Sequence, residues 1–215
     1  MARRWFFDGA QEELGLLPIV ATPAGGPSLP ITDTFTGTNG DPWSAQWTAQ
    51  LGSLGASVSI QGNRGRLVTG TLGGYADYAY GYLDHVQGDI DISVDVAFTT
   101  VTECYPAIEF RNDLAGSRFM LRFEPGGSAV SLFRIDAFTP TLLDSGSITP
   151  SINDVYHVRV RAEGSAIKAK WWVDGGTEPG WLVEATDAAY PTETGLVLSL
   201  GGPAAASATT VEWDN

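Results

Sequence analysis

Between Asp89 and Val173 one pattern keeps returning: apolar and polar residues alternate in short runs, and each run ends in glycine, proline or an Asx residue. In Asp89-Ile90-Asp91-Ile92-Ser93-Val94-Asp95-Val96, every second side chain is Ile or Val and the others are carboxylates or Ser. A chain whose side chains alternate between two faces can bury all its apolar groups at once only as a strand with one wet face. Residues 107–112, 118–124, 129–135, 156–161 and 166–173 repeat the alternation. Gly126-Gly127 and Asp174-Gly175-Gly176 fall between such runs, where hairpins need positive φ. No stretch of similar length has helical spacing. Strands about ten residues apart, joined by tight turns, predict an all-β antiparallel β-sandwich of jelly-roll type. With 26 Gly, 12 Pro and only 17% charged residues, the composition agrees.

Residues 1–30 break the pattern. Arg3-Arg4-Trp5-Phe6-Phe7 is followed by Asp8, Glu12 and Glu13, then by Pro18, Pro23, Gly25, Gly26, Pro27 and Pro30. Proline lacks a donor and glycine lacks stiffness, so this segment reads as an irregular N-terminal extension, residues 1–30, ahead of a sandwich domain spanning 31–215. Trp5, Phe6 and Phe7 would form an exposed apolar patch in isolation, so they are either a strand that docks on the sandwich or, the preferred reading, anchors for a partner. The acidic residues arrive before any apolar core of signal-peptide length, so no secretory leader is expected. No apolar run is long enough to span a bilayer, so neither is membrane insertion.

A net charge of -13 opposes nucleic acid and anionic lipid. A single cysteine, Cys104, forbids an internal disulfide, and with His85 and His157 as the only histidines a zinc site has too few ligands. Neither histidine lies near a nucleophile elbow, and Cys104 reads as packing.

Glycan hydrolysis on a sandwich needs two carboxylates across the scissile bond, and the motif Glu-x-Asp-x-x-Glu is absent. Asp89, Asp91 and Asp95 share a face but read as its solvated side, and Glu109, beside Arg111, reads as an ordinary exposed carboxylate. The chain is therefore not expected to be an enzyme. Sugar binding needs flat aromatic surfaces with polar neighbours. Tyr78, Tyr80 and Tyr82 share a parity, so they form either a sugar platform or a strand of an aromatic core. Of Trp171 and Trp172, one should face in and the other out.

The run Thr32-Asp33-Thr34-Phe35-Thr36-Gly37, then Trp43 and Trp47, then the Gly62-Asn63 turn, and finally Val211-Glu212-Trp213-Asp214-Asn215, resemble the opening and closing strands of concanavalin A-like (laminin-G-like) jelly rolls. In that family the first and last strands lie side by side and a calcium ion can clip them. The resemblance thus implies structural calcium held by Asp33 on the opening strand and Asp214 on the closing strand, with Asn215 assisting. The N-terminal Arg3-Arg4-Trp5-Phe6-Phe7-Asp8-Gly9 resembles the starts of minor tail proteins of phages of actinobacteria. It implies a virion protein of a tailed phage, a minor tail or capsid decoration protein. Such a protein would be anchored to other virion proteins through residues 1–30, expected as a homo-oligomer, made in the host cytoplasm and released by lysis. The sandwich would then be displayed to host-surface glycan. The alternative is a carbohydrate-binding module of a secreted polysaccharide-degrading enzyme.

Overall fold

The computed structural model describes residues 31–52, 55–70, 78–84, 88–101, 104–202 and 208–214. The boundary near residue 30, the anchor Trp5, Phe6 and Phe7, and Asn215 lie outside the described residues. Two antiparallel sheets of seven strands pack face to face. The first runs β1 (Thr48–Leu51), β4 (Ala79–Asp84), β13 (Gly195–Gly201), β6 (Tyr105–Asn112), β7 (Arg118–Glu124), β8 (Ala129–Asp136) and β9 (Thr139–Ser147). The second runs β12 (Val183–Thr186), β11 (Ala166–Val173), β10 (Val155–Glu163), β5 (Ile90–Phe98), β14 (Thr210–Asp214), β3 (Gly65–Val68) and β2 (Ser57–Ile60).

The alternation seen in the sequence is what separates core from surface. On β7, Phe119, Leu121 and Phe123 are fully buried while Arg118, Met120 and Arg122 point away from the core. On β10 and β11, Val158, Val160, Ile167, Ala169 and Trp171 fill the opposite wall. Trp171 is buried and its neighbour Trp172 is not, as the paired tryptophans require. The closing strand β14 sits between β3 and β5 and buries Val211 and Trp213 completely. Each such buried apolar side chain contributes about 1.5–3 kcal/mol relative to exposure.

Two expectations change in detail. The segment around Asp33 is not a strand: Phe35 has φ 48 and its N–H donates to Asp33 Oδ1, an Asx turn that breaks the extended backbone. Among the described residues the first strand begins at Thr48. In the β7–β8 connection, Pro125–Gly127 form one 3-10 turn, and the left-handed residue is Ser128 (φ 55) rather than either glycine. After β11, Gly175 takes positive φ, at 76, as the sequence predicted for that turn.

Phe35 and Trp43 fill the end of the core between the sheets. Trp43 Nε1 donates to the Ser59 carbonyl at 3.0 Å. Room for these rings comes from two glycines: a Cβ on Gly65 would meet Phe35 and Trp43 at 2.7–2.9 Å, and one on Gly81 would meet Trp43 Cε3 at 2.6 Å. Gly65 lies on the second sheet and Gly81 on the first, so one indole is slotted between the two layers.

Candidate functional site on the outer face of the first sheet

Because strand pairing is continuous from β1 to β9, outward side chains line up in rows across the first sheet. One row reads Thr48, Tyr82, Val197, Glu109, Met120, Phe133, Leu142. The next reads Gln50, Tyr80, Ser199, Ala107, Arg122, Ser131, Ser145. Ala79, Gly81 and Leu83 turn inward, so Tyr80 and Tyr82 stand on the outer face and Tyr78 stacks on Tyr80 with ring centroids 5.2 Å apart. Of the two readings of the tyrosine row, the core strand is set aside: Gly81 faces Trp43, Ala79 is buried in the core, and the rings face out.

Glu109 is not the ordinary exposed carboxylate expected. Its side chain is only 13% exposed, at the middle of the face. It pairs with Arg118 at 2.7 Å and accepts hydrogen bonds from Ser199 Oγ and Asn112 Nδ2, each at 3.0 Å. The parity of β6 puts Glu109 outward, and Arg118 on β7 lies diagonally across from it, within reach of a long side chain. Arg122 lies over the rings of Tyr105, at 5.2 Å, and Phe133, at 4.7 Å, and its guanidinium pairs with Glu124. A guanidinium held against two rings and a carboxylate has lost most of its rotamer freedom before any ligand arrives.

The tyrosines are held in their neutral form. Burial, then the neighbouring Tyr78 and Glu109, push Tyr80 up to about 12 despite the opposing charge of Arg118, and its hydroxyl donates to Gln50 Oε1. Burial and Asp84 push Tyr82 to about 12. The face thus offers fixed phenol hydroxyls, flat ring surfaces, a carboxylate and two guanidinium groups within a few strands. Sequence reasoning singled out the tyrosines and Glu109 but missed Arg118, Arg122, Tyr105, Phe133 and Ser199. The shared parity of Arg118 and Arg122 was the available signal.

The proposed calcium residues are placed differently. Asp33 Oδ2 accepts from Ser44 Oγ at 2.5 Å and Trp47 Nε1 at 3.0 Å, while Oδ1 takes the Phe35 N–H at 2.9 Å. Asp33 thus serves the turn that carries Trp43 and Trp47. Asp214 lies on β14, 3.9 Å from Arg64 Nε. Among the described residues no group of three His, Cys, Asp or Glu side chains is arranged to hold a metal. Asp91 and Asp95 do line the wet face of the second sheet, paired with Arg159 and His157, whereas Asp89 pairs with the buried Arg111. Cys104 is buried, with its thiol donating to the Thr100 carbonyl at 2.9 Å.

No family model and no curated protein sequence matches the chain. Solved structures do. A carbohydrate-binding module, CBM66, from Bacillus subtilis matches with TM-score 0.60 and 15% identity over 79% of this chain and 92% of that one. A Bacillus licheniformis β-glucanase matches with TM-score 0.64 and 14% identity, covering 89% and 96%. A glycosyl hydrolase family 16 protein from Mycobacterium smegmatis matches with TM-score 0.60 and 14% identity, covering 86% and 98%. At such identities the likeness is one of fold, and it makes the chain a concanavalin A-like jelly roll. These neighbours overturn the expectation that the chain is not an enzyme. Two of the three are named as a glucanase and a glycosyl hydrolase, so the architecture is one on which glycan chemistry is carried out.

Proposed function

We propose that this protein is a glycan-binding jelly roll whose ligand lies across the outer face of the first sheet. The observation that carries the reading is the outward row of Tyr80 and Tyr82 beside the Glu109–Arg118–Ser199 network. It joins apolar ring faces to fixed hydrogen-bonding groups, the combination that pyranose rings with equatorial hydroxyls require. The binding module and glucanases among the fold neighbours support the same class of ligand. Affinity electrophoresis through gels containing β-glucans and other polysaccharides tests it. The protein should be retarded by at least one polysaccharide, and Tyr82→Ala and Arg122→Ala should each weaken retardation about tenfold, the effect of about 1.4 kcal/mol. No retardation by any polysaccharide would remove the proposal. Release of shorter sugars during incubation would assign catalysis to this face, with Glu109 the first carboxylate to substitute.

The setting of the domain is a separate proposal carried by sequence alone: display on a tailed-phage particle through residues 1–30, in several copies. The same sandwich equally suits a carbohydrate-binding module of a secreted polysaccharide-degrading enzyme, the reading that the fold neighbours favour. Purified particles containing the protein would support display, and loss of incorporation on removing residues 1–30 would place the anchor there.

A further inference from the structure

The chain's only two lysines, Lys168 and Lys170, stand on one face of β11. Directly across on β10 stand Arg161, opposite Lys168, and Arg159, opposite Lys170. Two tiers of like charge facing each other are unfavourable in a sheet, and in a chain of net charge -13 they are also a local exception. Acids at the margins offset them. Arg159 is held by Asp91 through two hydrogen bonds of 2.8 Å, and Lys170 by Glu178 at 2.6 Å. The outer tier is less complete. Arg161 gives one Nη2 bond to Glu163 at 2.7 Å, and Lys168 pairs with Glu184 at 2.7 Å. Among the described residues no carboxylate contacts both Arg161 and Lys168.

Beside this tier the loop from Asp174 to Leu182 folds back over the sheet. It is fixed by the Glu178–Lys170 pair, by Lys170 lying 4.6 Å over the Trp181 ring, and by the Leu182 N–H donating to the Ala169 carbonyl at 2.9 Å. Trp181, Arg161, Glu163, Ala166 and Lys168 line a shallow, half-open recess of about 200 Å³. That is smaller than the roughly 300 Å³ at which drug-sized pockets begin, so it suits one small ring rather than a chain. We propose that this recess is a second ligand site, on the opposite sheet from the tyrosine face, for a single carboxylate-bearing sugar residue. Its ring would lie against Trp181 and its carboxylate between Arg161 and Lys168.

The chemistry is specific in its parts. An indole supplies the apolar face for the ring, and Glu163 can accept from a hydroxyl. The two cations stand directly opposite each other across the β10–β11 pair and keep N–H donors beyond those given to Glu163 and Glu184. The local positive field is visible at Asp91. Its carboxyl is held below the usual range first by its hydrogen bond to Arg159, against burial, and then by the charges of Arg159, Arg161 and Lys170.

The test is an NMR titration of the full chain with D-glucuronate, with D-glucose and with acetate, following the backbone amides of Arg161, Glu163 and Lys168 together with the Trp181 indole N–H. Glucuronate should give a saturable shift, and glucose and acetate should bind at least about tenfold more weakly, since each retains only part of the contact set. Trp181→Ala should abolish glucuronate binding, Lys168→Gln should weaken it about tenfold, and rising salt should weaken it further. Tyr82→Ala should leave it unchanged, which separates this site from the first sheet. Equal binding of glucose, no saturable shift, or a response unaltered in Trp181→Ala and Lys168→Gln would overturn the assignment.

Discussion

Replacing Gly81 with alanine tests how the two sheets are joined beneath the tyrosine row. Gly81 lies on β4 between Tyr80 and Tyr82 and faces the core. Its backbone is not in the left-handed region, so alanine there should gain about 0.5–1 kcal/mol from the lower entropy of the unfolded chain if space allowed. Space does not allow it: the added carbon would meet Trp43 Cε3 at 2.6 Å and Trp47 Cε3 at 3.2 Å. Trp43 is only 5% exposed, and Gly65 closes the slot from the other sheet, so the indole has little room to retreat. Overpacking of this kind costs about 1–3 kcal/mol. If the ring moves, its hydrogen bond to Ser59 is strained as well, at about 0.5–1.5 kcal/mol. The collision outweighs the entropy gain, and Gly81→Ala should lose about 1–3 kcal/mol in urea denaturation followed by far-UV circular dichroism, with unchanged slope. In a Trp43→Leu background the same change should be neutral or stabilising, a coupling of about the same size. A stabilising Gly81→Ala in the parent chain, or an equal loss in both backgrounds, would refute the slot.

Three further outcomes follow from the placement of ionisable groups. Tyr80 and Tyr82, both pushed to about 12 first by burial, should ionise late in a spectrophotometric titration. Unfolded tyrosine ionises near 10, so their contribution is complete below that pH and is lost as pH rises towards 12, and stability should fall across this interval. When charged, His157 donates to Asp95 at 2.6 Å and to Asp174 at 3.1 Å, with Asp214 paired opposite Asp95 on the neighbouring strand. Burial opposes its charge, but those bonds and charges outweigh burial and raise it above 6.5. Its contribution is therefore full below 6.5 and disappears as pH rises through the folded value, so His157→Gln should destabilise in acid and be silent in alkali. Burial pushes the Cys104 thiol to about 12, so iodoacetamide should label it only as fast as the fold opens, and promptly in urea.

The sandwich was readable because alternation is local: β7 and β11 span the residues their patterns marked, and the closing strand ends in the core as Val211 and Trp213 suggested. The site was only half readable, for a physical reason. On β4 the tyrosines look more apolar than Ala79 and Gly81, which points them inward. What reverses the strand is Trp43, brought from a distant turn to fill the space those small residues leave. Glu109 likewise looks isolated in sequence, since Arg118 and Ser199 reach it only through sheet pairing. Asp33 serves a turn, because the donors around it come from Phe35, Ser44 and Trp47.

The central claim is that glycan lies on the outer face of the first sheet, and the most direct measurement is to map bound sugar residue by residue. Backbone and side-chain NMR shifts should be recorded in the Trp181→Ala chain while an oligosaccharide of the polysaccharide that retards it is added. Saturable changes confined to β4, β13, β6 and β7, centred on Tyr80, Tyr82, Glu109 and Arg122, are the expected result. Changes confined to the second sheet, or none up to millimolar oligosaccharide, would contradict the claim.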